Sequence, residues 1–73
     1  MTKKLVEILE AARKHYEASN IWFALYQESN NEYDWNMCES EDYAARGLLE
    51  AYEIITGEKI YPHEIKAKML KTC

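Results

Sequence analysis

Apolar residues recur with helical spacing in the first part of the chain. They lie three or four residues apart, with charged side chains on the opposite side: Leu5, Ile8, Leu9, Ala12 and Tyr16. This spacing is typical of an amphipathic helix and predicts one over residues 3–18. Thr2 is its predicted N-cap, because a hydroxyl oxygen can accept a hydrogen bond from an amide of the first turn.

A dense apolar run follows at residues 21–26, after Ser19 and Asn20, which predict a break or a cap. Six residues are too few to distinguish a helix from a buried strand by periodicity. Helices on both sides favour a helix here, with a strand in a small sheet or dimer ribbon as the alternative. Trp22 and Phe23 belong in the core if they are covered, and in an oligomer interface if they are exposed.

The next predicted helix begins at Ser40 and ends at Gly57. Asn30 and Asn31 indicate a turn before it. Ser40 is the predicted N-cap, with Glu41 and Asp42 in a first turn where the helix dipole favours carboxylates. The predicted core face steps by four, three and four residues and is widened by a second apolar row: Ala44, Leu48, Ala51 and Ile55, then Ala45, Leu49 and Tyr52.

Two glycines have distinct predicted roles. Gly57 is a left-handed C-cap. Gly47 lies within the helix at a cost of about 1 kcal/mol relative to alanine, so it is best explained by the close approach of another helix, as in an oligomer interface.

Tyr61 should be extended before Pro62, which suits the first turn of a last helix that buries Ile65, Met69 and Leu70.

These elements predict an all-α domain over residues 1–73, a small bundle of three to four short helices with a helical hairpin at its C-terminal end. A chain of 73 residues buries a limited fraction of its surface. Completion of the bundle by a homo-oligomer is therefore expected.

Composition narrows the function classes. The formal net charge of −4 argues against direct nucleic-acid binding, and no apolar stretch is long enough for a membrane span. No signal segment follows Met1, so a cytoplasmic location is expected. Cys38 and Cys73 have no metal-ligand spacing and predict free thiols. No nucleophile lies beside a base and no phosphate-binding loop is present, so neither an enzyme nor a cofactor is expected.

Charge is distributed in a block. No Lys or Arg lies between Lys14 and Arg46, whereas seven carboxylates do: Glu17, Glu28, Glu32, Asp34, Glu39, Glu41 and Asp42. Six oxygen-bearing residues from Glu28 to Glu39 have the spacing of a calcium loop. Tyr33 occupies the position where that loop requires glycine, so no metal site is expected.

The aromatic and acidic residues of this block predict a partner-binding surface, since protein interfaces favour Tyr and Trp and carboxylates steer basic partners. Its predicted members are Glu28, Glu32, Tyr33, Asp34, Trp35 and Glu39. The favoured function is an inhibitor or regulator that docks on the basic groove of a nucleic-acid-handling protein, as phage and mobile-element anti-defence proteins do by mimicking nucleic acid. The alternative is a self-assembling helical oligomer that binds a small ligand or serves as a scaffold, with Trp22, Phe23 and Gly47 at its interface.

Overall fold

Two long helices, one turn of 3-10 helix and one short helix make up the part of the chain that the structure describes. The structure is a computed structural model that describes the backbone of residues 3–72 and the side chains of residues 3–69. Its elements are α1 (Lys3–Ser29), α2 (Glu32–Thr56), one turn of 3-10 helix (Pro62–Glu64) and α3 (Ile65–Thr72). The all-α prediction is confirmed, and none of the described residues lies in a strand. The predictions for Thr2, the side chain of Leu70 and Cys73 lie outside the described residues.

Helix α1 continues through Ser19 and Asn20, so the predicted break at this point is wrong. The Ser19 hydroxyl is buried and donates a hydrogen bond to the Cys38 carbonyl oxygen of α2, at 3.1 Å. A serine hydroxyl that has a partner on a neighbouring helix has less tendency to compete for its own helix backbone. Residues 21–26 are therefore the continuation of α1, and the helical interpretation of this run is confirmed.

A two-residue link joins α1 to α2. Asn30 adopts a left-handed conformation, with φ of 54°, and its amide donates to the Tyr26 carbonyl oxygen at 2.7 Å. The Asn31 side chain then accepts a hydrogen bond from the Tyr33 amide at 2.9 Å and caps α2. The turn at these asparagines is confirmed, but α2 starts eight residues before the predicted cap, and Ser40 lies exposed within the helix.

The short link makes α1 and α2 an antiparallel hairpin that sets the dimensions of the molecule. The 27 residues of α1 rise by about 40 Å, which matches the longest extent of 41 Å. The other two extents are 21 and 16 Å. The link lies at one end of this long axis, and the C-terminal elements lie at the other.

The main core lies at the end away from the link, where α3 packs on α1. Its buried members come from all parts of the chain: Leu9, Ala12, Leu49, Tyr52, Ile60 and Ile65. On α2 the buried row is Ala45, Leu49 and Tyr52, whereas Ala44 is exposed and Ile55 is 62% exposed. The row predicted to widen the core face is therefore the core itself, whereas only Leu48 of the predicted central row is known to pack against it. The larger Leu49 and Tyr52 side chains fill the space between the helices.

The C-terminal segment ends α2 and starts the last helical elements at the predicted residues. Gly57 adopts a left-handed conformation, with φ of 75°, and its amide donates to the Glu53 carbonyl oxygen at 2.7 Å. Tyr61 is extended before Pro62, and its amide donates to the Glu64 carboxylate at 3.1 Å. Ile65 is buried, and Met69 packs against the core. None of the described helices is long and apolar enough to cross a membrane.

Candidate functional site

The half of the hairpin next to the link carries the acidic block. We call residues 15–45 the acidic half, because they hold seven carboxylates and no Lys or Arg. The rest of the sequence carries net +3, from nine Lys and Arg against six Asp and Glu. Since the hairpin places these two parts at opposite ends of its long axis, the molecule is electrically polar along that axis.

Four of the predicted docking carboxylates lie near the link: Glu28, Glu32, Asp34 and Glu39. Glu32 and Asp34 occupy the first turn of α2, where the helix dipole stabilises them. Asp34 also accepts a hydrogen bond from the Ser29 hydroxyl at 2.6 Å. Among the described residues, Glu28, Glu32 and Glu39 form no ion pair.

Glu41 and Asp42 do not have the helix-start role that the sequence predicted for them. Glu41 lies 2.5 Å from Nδ1 of His15 on α1, and Asp42 forms an ion pair with Arg46 at 2.9 Å. The reason is the earlier start of α2, which places both residues in the middle of the helix. His15 therefore helps to join the two helices.

Trp35 and Phe23 lie on the same side of the hairpin and line an open groove of about 380 Å³. Trp35 is 38% exposed and packs against Tyr26, with ring centroids 5.2 Å apart, while Phe23 is 43% exposed. The buried Ser19 and Cys38 also line this groove. Two large aromatic surfaces are thus accessible because neither α3 nor the 3-10 turn covers this half of the hairpin.

Polar groups surround these aromatic side chains. Asn20, Glu39, Asp42 and Arg46 line the same groove, together with Tyr43, which is 65% exposed. Arg46 also lines a second groove, of about 470 Å³, that reaches Tyr61 and Pro62. We name the first of these grooves, with its residues from both helices, the aromatic groove.

Tyr16 lines the second groove, beside Arg46. Burial raises the pKa of its hydroxyl, and the Asp42 carboxylate raises it further, whereas the Arg46 guanidinium acts in the opposite direction. Tyr16 therefore stays neutral and available as a hydrogen-bonding group at neutral pH.

Tyr33 and Trp22 lie on the other side of the hairpin. Residues 33 and 35 of one helix project about 200° apart, so Tyr33 cannot share the aromatic groove with Trp35. Tyr33 is 60% exposed and meets Trp22 edge to face, with ring centroids 6.0 Å apart. Trp22 is half-buried by this contact, whereas Phe23, its neighbour in the predicted oligomer interface, lines the aromatic groove.

Gly47 makes no close approach within the chain. It is exposed, and among the described residues no heavy atom lies within 4 Å of the position that a Cβ would occupy. The predicted close contact of another helix is therefore not made by α1 or α3. The glycine lies instead on the outer side of α2.

The oxygen-bearing residues of calcium-loop spacing are divided between the end of α1, the link and α2. No group of three or more His, Cys, Asp and Glu side chains is placed to hold a metal ion in the part of the chain that the structure describes. Cys38 is buried and unpaired.

Six residues of the aromatic groove were not among the predicted site residues: Ser19, Asn20, Cys38, Asp42, Tyr43 and Arg46. Their signal is present, since residues 35, 39, 42 and 46 recur at helical spacing, but it becomes visible only if one helix covers the whole acidic segment.

Comparison with known proteins identifies no relative, as no family model, curated protein or solved structure matches the chain significantly.

Proposed function

We propose that the chain is a protein-binding module that docks its acidic half onto the basic groove of a nucleic-acid-handling protein and inhibits or regulates it. The supporting observation is the separation of charge along the hairpin, with seven carboxylates and no Lys or Arg in the half that also exposes Trp35 and Phe23. A surface of this kind combines aromatic anchors with charges that steer a basic partner.

The charge density supports a role as a phosphate mimic. The carboxylates of the acidic half extend from Glu17 to the link, a helical rise of about 18 Å. Asp42 is paired with Arg46, so the six other carboxylates give one charge per roughly 3 Å, compared with one per about 1.7 Å of duplex DNA. A protein groove that binds nucleic acid would therefore meet a comparable, somewhat weaker, negative potential.

Within this surface, the aromatic groove supplies the anchor. Trp35 and Phe23 offer apolar area between carboxylates, and Glu39 and Asp42 lie beside them. Glu28 and Glu32 are exposed and add long-range attraction. Tyr33 is on the opposite side, so it contributes less than Trp35 to a partner seated over the groove.

The experiment begins with capture of partners on the immobilised protein at low salt, followed by competition with duplex DNA. A partner that uses its nucleic-acid groove should be released by the DNA and by high salt. The captured protein is then purified, and its association and dissociation rates are measured by surface plasmon resonance.

Two sets of variants separate steering from anchoring. Changing Glu28, Glu32 and Glu39 together to Gln should slow association and flatten its salt dependence. The matched control changes Glu7, Glu50 and Glu53 to Gln, an equal change of charge in the other half of the molecule, and should affect association less.

Trp35→Ala should cost about 2 kcal/mol of binding free energy, seen as roughly 30-fold faster dissociation. Tyr33→Ala is its control on the opposite side of the hairpin. If the triple acidic variant folds and binds at an unchanged rate and affinity, or if DNA does not compete, the proposed function is wrong.

A further inference from the structure

The α2 wall of the aromatic groove has a carboxylate between two aromatic side chains. Trp35, Glu39 and Tyr43 all line the groove and follow one another at intervals of four residues. Side chains four residues apart are neighbours on a helix surface, separated by about 6 Å along the axis and about 40° around it. Glu39 therefore lies next to both rings.

The aromatic surfaces of the groove are accessible to a ligand. Tyr43 is largely exposed, and it makes no ring contact within the described part of the chain. Trp35 contacts the ring of Tyr26 and remains partly exposed. Phe23 lines the groove from α1 and is also free of ring contacts with the described residues. The three rings thus border one groove without stacking on one another.

Glu39 is the charged group of the groove that is available to a ligand. The other carboxylate there, Asp42, is paired with Arg46 at 2.9 Å, whereas Glu39 has no ion pair among the described residues. Asn20 lines the groove from α1, and its side chain makes no hydrogen bond with a described residue. A carboxylate and the faces of aromatic rings both attract a cation. The groove therefore has the chemistry of a site for an organic cation.

We propose that the aromatic groove binds an arginine side chain of the partner, with the guanidinium paired with Glu39 and flanked by the rings of Trp35 and Tyr43. Arginine is favoured over lysine because its planar guanidinium stacks on aromatic faces and can bind both oxygens of a carboxylate. Its five donors can also supply a hydrogen bond to the amide oxygen of Asn20. The lysine ammonium is more strongly hydrated, so it loses more when it leaves water for the groove.

This site rests on the proposed function only for the source of the arginine, since proteins that bind nucleic acid present arginine to phosphates. It gives Glu39 a direct contact with the partner in addition to its part in steering. The contact itself can be tested with a small probe and no partner, so failure of the site and failure of the proposed function are distinguishable.

The test uses the purified chain and two capped peptides, in which glycine flanks either one arginine or one lysine. Each peptide is titrated at constant ionic strength and neutral pH, and binding is followed by the indole N–H signals in nuclear magnetic resonance spectra. Trp35 lines the groove and Trp22 contacts Tyr33 on the other side of the hairpin, so the Trp35 signal should shift and the Trp22 signal should not. The arginine peptide should bind at least about 3-fold more tightly than the lysine peptide.

Matched variants separate a seated guanidinium from general attraction to negative charge. Glu39→Gln should weaken binding of the arginine peptide at least about 3-fold. Glu17→Gln removes the same charge at an exposed position of the acidic half outside the groove, and should change binding less than about 1.5-fold at physiological salt. Tyr43→Leu should weaken binding about 2- to 5-fold, whereas Tyr43→Phe keeps the ring and should not weaken it. Circular dichroism verifies that all variants remain helical.

Equal affinity for the two peptides, equal effects of Glu39→Gln and Glu17→Gln, or an unmoved Trp35 signal would each overturn the proposed arginine site. The proposed function would survive that result, because long-range steering does not require a seated arginine. Conversely, selective binding of the arginine peptide together with a partner that DNA does not displace would support this site and refute the proposed function.

Discussion

Replacing Gly47 by alanine should stabilise the monomer. The residue lies in the interior of α2, where glycine is less favourable than alanine by about 1 kcal/mol because its backbone loses more conformational freedom on folding. The added methyl group would have no heavy atom of the described residues within 4 Å, so no steric clash offsets this gain. We therefore expect Gly47→Ala to raise the free energy of unfolding by about 1 kcal/mol.

This increment is large for a domain of 73 residues. Typical stabilities per residue give a total of roughly 4 to 11 kcal/mol, and 1 kcal/mol corresponds to a rise in melting temperature of about 4 to 8 °C. Urea denaturation followed by far-ultraviolet circular dichroism measures the change directly. Measurement at two protein concentrations verifies that self-association does not contribute to the change.

Gly57→Ala is the matched control, because the same chemical change should have the opposite sign there. Gly57 has φ of 75°, a conformation that alanine adopts only with strain, so stability should fall by about 1 kcal/mol. The slope of free energy against urea should be unchanged in both variants. Equal or lower stability of monomeric Gly47→Ala would show that our description of an uncovered outer side of α2 is incorrect.

Three further predictions concern the cap, the core and alkaline pH. Asn31→Ala should lower the free energy of unfolding by about 1 kcal/mol, because it removes the cap of α2. Ser40→Ala in the helix interior should not lower it. Urea denaturation of both variants therefore shows where α2 begins. Leu9→Ala, at a fully buried core position, should cost about 2 to 5 kcal/mol in the same assay. Burial raises the pKa of the Tyr52 hydroxyl above its ordinary 10.0, so the unfolded chain releases this proton first and stability should fall as pH rises past about 10. Thermal melts from neutral to alkaline pH should show a smaller decline for Tyr52→Phe than for the wild-type chain.

Local sequence signals determined the all-α class, the end of α2 and the start of the C-terminal helical turn. Gly57 and Pro62 act through their own backbone geometry, which needs no distant partner, and both stand where the sequence predicted them. The acidic block is also a property of the sequence alone, since it depends only on the order of charged residues. Its position at one end of the molecule required the hairpin.

Tertiary contacts decided where the long helices begin and end. Ser19 and Ser40 are both good capping residues by type, but a cap forms only where the chain leaves the helix. The Ser19 hydroxyl bonds to α2 instead, and Asn31 caps α2 earlier than Ser40 could. Competition between possible caps depends on the packing of both helices, which a local pattern does not contain.

Packing also decided which side of α2 is buried and which residues form the aromatic groove. Two apolar rows of α2 have similar helical spacing, and only contact with α1 distinguishes Leu49 in the core from Ile55 on the surface. Phe23 and Trp35 line one groove because the hairpin brings α1 and α2 together, while helical rotation separates Trp35 from Tyr33. A sequence lists these residues in order, but their shared surface exists only after two helices meet at a defined register.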